Sequence, residues 1–156
     1  MKSLSTIDFF VSFLFCKSKF FRFTAEIREP SNSYLPFGDI RNYTELIDVG
    51  NHFNPSTGVF NVGNNEEDQG TYVFFFSAYK WNAKTDAQIY IYKNGQEIQR
   101  IWEQLSKSDE SNSLQIIGMT TVNLKIGDKI NLSNDADETI YVRSNSYPFS
   151  FIGYKV

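Results

Sequence analysis

The chain carries one histidine, His52, and one cysteine, Cys16. A Ser-His-Asp or Cys-His catalytic arrangement would have to be built on His52, which stands beside an aromatic residue in a turn-like segment. Such arrangements are established by geometry and not by composition, so a lone histidine there reads as structural or surface. One His and one Cys also fall short of the usual zinc ligand set. No glycine-rich phosphate-binding motif occurs. The sequence points away from an enzyme.

Carboxylates and amides remain. Glu66, Glu67 and Asp68 cluster in one polar stretch, and Glu103, Asp109 and Glu110 flank another. Calcium needs about six to eight oxygen ligands, and no EF-hand spacing is present. These charges therefore read as solvated loop residues. Connecting loops carry variable polar chemistry, so Glu66, Glu67, Asp68, Asp109 and Glu110 are also the candidate ligand-binding groups. Asn42-Tyr43-Thr44 and Asn131-Leu132-Ser133 match the glycosylation acceptor pattern, whereas proline blocks it in Asn54-Pro55-Ser56. Those two sites matter only in a secreted chain.

Such loops need a frame, and the most regular stretch is residues 70–81, Gly-Thr-Tyr-Val-Phe-Phe-Phe-Ser-Ala-Tyr-Lys-Trp. Side chains alternate with period two along a strand. Tyr72, Phe74, Phe76 and Ala78 share one face; Val73, Phe75, Ser77 and Tyr79 share the other. Both faces are largely apolar, unlike a strand with one face in water. Either sheets pack on both sides, or one face meets another copy of the chain.

The chain has 156 residues, fifteen of them Phe and nine Tyr. That length suits one domain with enough buried surface to dispense with disulfides. A lone cysteine forms no intrachain disulfide, so it leaves the redox compartment open. The net charge is -3 without long runs of either sign, which argues against a nucleic-acid partner.

Residues 1–20 differ in texture. Lys2 precedes the apolar run Phe9–Cys16, and Lys17, Lys19 and Arg22 follow. The run is shorter than the roughly 20 apolar residues that span a bilayer. It has the size of a signal-peptide apolar region, so the expectation is a secretion signal. An N-terminal extension or a truncated upstream domain is the alternative. No glycine precedes Gly38, so no collagen-type repeat occurs, and no heptad pattern is sustained.

From residue 21 the texture is β. Phe21, Phe23, Ala25 and Ile27 alternate with polar residues. Lys93-Asn94-Gly95-Gln96 reads as a hairpin turn. Leu114–Leu124 is a long strand with Leu114, Ile116 and Val122 on one face and Ile117 and Met119 on the other. About ten strands separated by Gly, Asn, Asp, Ser and Pro clusters indicate an all-β sandwich or barrel.

Several ordered motifs give this pattern a family likeness. Gly70-x-Tyr72-x-Phe74-x-Phe76 resembles the signature of the C1q family, the globular head of complement component 1q. Asp48, Phe53 and Phe60 keep that family's spacing, and His52–Phe60 resembles its turn and strand. Phe23-Thr24-Ala25, Lys93-Asn94-Gly95, Leu124–Asp128 and Phe149–Tyr154 fit in the right order. The likeness covers residues 21–156. Two departures stand out. The family places an aromatic six residues before Asp48, where this chain has Asn42 followed by Tyr43. The segment from Phe60 to Gly70 is four residues longer than usual, within the acidic loop.

The resemblance implies a ten-stranded jelly roll related to tumour necrosis factor, assembled as a homotrimer with one sheet of each subunit facing the threefold axis. Core and interface would then divide Tyr72, Val73, Phe74, Phe75, Phe76, Ile117, Met119, Phe151 and Tyr154 between them. It also implies a secreted recognition module for microbial or cell-surface ligands such as glycans, polysaccharides or proteins. A receptor-binding signalling ligand and a structural trimerisation domain are the alternatives. Some members bind calcium near one end of the trimer, which makes Glu103 and Asp109 weak calcium candidates here.

Overall fold

The computed structural model describes residues 21–27, 33–35, 38–80, 86–103, 114–134, 140–142 and 148–156. Among them run thirteen strands: β1 (Arg22–Ile27), β2 (Ser33–Tyr34), β3 (Gly38–Asp39), β4 (Thr44–Val49), β5 (Phe53–Asn54), β6 (Val59–Asn61), β7 (Gly70–Lys80), β8 (Ala87–Lys93), β9 (Gln96–Glu103), β10 (Leu114–Leu124), β11 (Lys129–Asn134), β12 (Ile140–Val142) and β13 (Phe149–Lys155). Among the described residues one 3-10 turn covers Glu66–Asp68. Ten of the strands are those expected from sequence. β2, β3 and β5 hold two residues each, too few to show any alternation.

The strands form two antiparallel sheets. β7 is the spine of the seven-stranded sheet, where β2, β12, β7, β13, β1 and β4 lie in that order and β10 also pairs with β7. β10 follows β7 over its full length, from Leu114 opposite Lys80 to Leu124 opposite Gly70. β13 and then β12 occupy its other side. The six-stranded sheet runs β5, β6, β11, β8, β9, with β3 also pairing with β11.

Aromatic and β-branched side chains suit pleated, half-buried surfaces, and alternation sends one set inward. The core is one cluster of rings and aliphatic groups from both sheets. Phe23 stacks on Phe53 at 4.4 Å, and Phe60 meets Phe74 edge-on at 5.2 Å. Tyr43, not Asn42, supplies the ring next to β4: it is buried and edge-on to Phe53 at 5.4 Å, while Asn42 is exposed. Gly153 on β13 sits between two such rings. It lies opposite Phe23 on one neighbouring strand and Phe74 on the other, and a Cβ there would stand 2.8 Å from Phe74 Cε1.

Local chemistry fixes the connections. The Asp48 carboxylate accepts the backbone N–H groups of His52 and Phe53, at 3.3 and 3.0 Å, and so closes the turn after β4. This explains the five-residue spacing from Asp48 to Phe53. Asn94 and Gly95 both take positive φ, 53° and 78°, as the tight hairpin requires.

Asp128 ties that hairpin to the turn before β11. It pairs with Lys93 at 2.9 Å and accepts from Asn94 Nδ2 and the Lys125 N–H. Burial pushes its carboxyl up, but the hydrogen bonds from Lys125, Lys93 and Asn94 and the Lys93 charge outweigh burial and bring it to about 2. The folded value lies below the unfolded one, so this stabilisation is full above about pH 4 and is lost as pH falls through about 2. Asp128→Asn is expected to cost about 1–2 kcal/mol at pH 6 and almost nothing at pH 2. Urea midpoints of variant and parent at both pH values check this.

Candidate functional site

β7 shows its two faces separately in the fold. Tyr72, Phe74 and Phe76, with Phe151 from β13, are fully enclosed in the core. Val73, Phe75, Ser77 and Tyr79 lie on the side away from the second sheet. Cross-strand neighbours share a face in antiparallel sheets. Phe75 is flanked by Met119 on β10 and Ile152 on β13; Ser77 is flanked by Ile117 and Ser150; Val73 is flanked by Thr121 and Tyr154. Ile117 is 55% exposed, Met119 60% and Tyr154 37%.

The same face continues onto β4, where Ile47 lies opposite Thr24 and Val49 opposite Arg22, and both are exposed. Ile47, Val49 and Ile152 were not picked out from the sequence, although the alternation on β4 and β13 held the signal. An apolar band spread over neighbouring strands is the feature that marks interaction surfaces. Beside the band, Gln115 Nε2 donates to Ser77 Oγ at 2.8 Å.

Among the described residues, the acidic candidates at 66–68 and Glu103 do not gather. Glu66 and Glu67 are exposed. Asp68 is 1% exposed, and its Oδ2 accepts from Asn65 N at 3.0 Å and Asn65 Nδ2 at 3.1 Å. It ties down the 3-10 turn instead of facing solvent. Tyr72 Oη donates to the Asp68 carbonyl at 2.6 Å, and burial together with the Asp68 charge pushes that phenol up to about 12. Lys155 Nζ donates to the Glu67 carbonyl, which fastens the loop to the last strand.

This loop lies at the end of the sandwich where β7 begins. Glu103 lies at the opposite end, opposite Ala87 where β8 begins. Asp109 and Glu110 lie outside the described residues, as do residues 1–20 with Cys16. Among the described residues no group of three His, Cys, Asp or Glu could hold a metal ion.

His52 is packed inside. Its ring lies 4.8 Å from Phe21 and 5.9 Å, edge-on, from Phe60. Nε2 faces Asp68 Oδ1 at 3.8 Å, and neither atom has a hydrogen-bond partner among the described residues. The side chain is 8% exposed, which fits a wedge between the 63–69 loop and Phe21 more than a catalytic base. Beside it runs an open groove of about 640 Å³ lined by residues of the 51–59 turn, Asn61 and Lys129. The two glycosylation candidates differ: Asn42 is on an exposed loop, and Asn131 lies within β11, where Nδ2 donates to Asp39 Oδ1 at 3.0 Å.

Two stacked antiparallel sheets, an aromatic core and an uncovered apolar face on the β7 sheet define the jelly-roll class shared by C1q and tumour-necrosis-factor domains. The C1q domain profile matches residues 22–156, and the chain belongs to that family. The globular domain of zebrafish complement 1qA is similar, with a TM-score of 0.66 at 19% identity, covering 87% of this chain and 97% of that one. Eiger TNF from S. frugiperda gives 0.66 at 10% identity over 88% and 93%. Murine APRIL gives 0.62 at 10% identity over 86% and 99%. No curated protein matches the chain in sequence. Domains of this class are generally trimeric recognition or signalling modules. Among the described residues no helix is long and apolar enough to cross a membrane.

Proposed function

We propose that this domain is a non-enzymatic recognition head, a homotrimer working outside the cell, that captures microbial or cell-surface ligands through its loops. One observation carries the reading: the band of Phe75, Ile117, Met119, Ile152 and Tyr154 on the β7 sheet, in which Met119 alone is 60% exposed. Burying this band between three copies removes the apolar surface from water and fixes the loops in a threefold array. Three copies then raise a weak loop contact by avidity. The ligand-binding roles of Glu66, Glu67, Asp109 and Glu110 belong to this proposal; Asp68 enters it as the residue that shapes the first loop.

Light scattering on the purified chain should give three times 18.0 kDa. Met119→Asp and Ile117→Asp place a charge in the band without touching the core, so each should yield a folded monomer. A wild-type monomer at micromolar concentration, or a trimer untouched by both variants, overturns the assembly.

A second reading has support of its own. The fold is as close to Eiger TNF as to the zebrafish domain, with a TM-score of 0.66 in each case. That favours a signalling ligand for a cell-surface receptor as the rival. Capture by immobilised microbial polysaccharides supports the recognition head. Saturable binding to host cells alone supports the signalling ligand.

A further inference from the structure

We propose that Asn42 is the N-glycosylation site of this domain and that Asn131, with the same acceptor pattern, is not modified. The inference rests on the extracellular reading above, because the reaction takes place in the secretory lumen. Asn42-Tyr43-Thr44 leads into β4, an edge strand of the seven-stranded sheet. Asn42 and Thr44 are both exposed, while Tyr43 between them is buried. Tyr43 N–H donates to the Pro55 carbonyl at 2.9 Å, so the acceptor sits on an anchored surface loop. Asn42 takes φ 63°, a left-handed conformation that Asn tolerates better than most residues. Among the described residues its side-chain amide makes no hydrogen bond, which leaves the nitrogen available.

Asn131 has the opposite surroundings. It is an interior residue of β11, with β8 on one side and β3 and β6 on the other. Its Nδ2 is held by Asp39 Oδ1, and the next residue, Leu132, is fully buried. A sugar there would lie across the sheet and disturb a bond that joins β11 to β3.

The co-reactant is a lipid-diphosphate-linked oligosaccharide, delivered by a transferase. Asn42 Nδ2 forms a bond to the sugar C1 as the C1–O bond to the diphosphate breaks. The lipid diphosphate leaves with that electron pair, and the amide nitrogen loses one proton to a base of the transferase. No oxidation state changes.

The test routes the full chain through a eukaryotic secretory pathway behind an added leader and reads intact mass in cells and medium. The parent is expected to gain the mass of one oligosaccharide, removable by a glycan-cleaving amidase. Asn42→Asp, chosen because Asp also tolerates positive φ, should abolish the gain completely. Thr44→Ala should do the same, Thr44→Ser should retain it, and Asn131→Gln should leave it unchanged. A parent without the gain overturns the proposal, as does a gain that survives Asn42→Asp and disappears in Asn131→Gln. The mass increment does not depend on assembly, so a failed trimer reading and a failed glycosylation reading give separable results.

Discussion

Phe74→Ala is expected to lower the unfolding free energy by about 3–5 kcal/mol, a large share of what a single domain has. The ring has no solvent exposure and stands among Phe23, Phe60, Tyr72 and Phe151 at centroid distances of 6.3, 5.2, 6.1 and 5.9 Å. Those rings come from four different strands, β1, β6, β7 and β13, whose backbones are fixed by ladder hydrogen bonds. They have little room to collapse into the vacated space, so most of the cavity cost remains. Urea denaturation of the variant against the parent reads the loss directly. Phe75→Ala is the control one residue along. Its ring is on the outer face, so the isolated chain should lose about 1 kcal/mol and the main effect should be weaker assembly. Equal losses at the two positions would mean that the faces of β7 are reversed.

Gly153→Val is expected to be as damaging for the opposite reason. The pleat points this position into the core, directly between the register partners Phe23 and Phe74. Their rings lean over the bare backbone, and any Cβ would overlap Phe23 Cε1. Overpacking a full core costs about 1–3 kcal/mol and sometimes more, and this site meets rings on both sides, which puts the loss at about 3 kcal/mol or above. Thermal melts followed by circular dichroism should show a drop on the order of ten degrees or more. Removing one obstructing ring supplies the sharper check. In the Phe23→Ala background, Gly153→Val should cost less than alone, with a coupling of about 1 kcal/mol or more. Strict additivity would show that the ring contacts are not what constrains the glycine.

Much of this was legible in the chain itself because it is written in local rules. Alternation located ten strands, and Asn94-Gly95 fixed a hairpin, since few residues accept positive φ twice in succession. The spacing from Asp48 to Phe53 reflects a carboxylate that closes its own turn. The capping position of Asp68 also had a trace, Asn65 three residues before it. Grouping Asp68 with Glu66 and Glu67 by charge hid that signal: a carboxylate that accepts local N–H groups can be buried, and its two neighbours cannot.

What the sequence by itself determined is the β architecture, its family and the presence of two apolar faces on residues 70–81. The architecture and the two faces follow from residue type and a period of two, without distant partners; the family likeness rests on the ordered motifs between Phe23 and Tyr154. Only the tertiary structure decided which face is which. Phe74 and Phe75 are the same residue type on the same strand, and the packing of the second sheet, made of β3, β5, β6, β8, β9 and β11, sends one into the core and leaves the other at the surface. The fold likewise set the 63–69 loop and Glu103 at opposite ends of the sandwich, turned His52 inward, and separated exposed Asn42 from sheet-bound Asn131. Those outcomes depend on which strands pair across long stretches of chain. A one-residue change in the register of β7 would move its side chains to the other face and exchange Phe74 with Phe75.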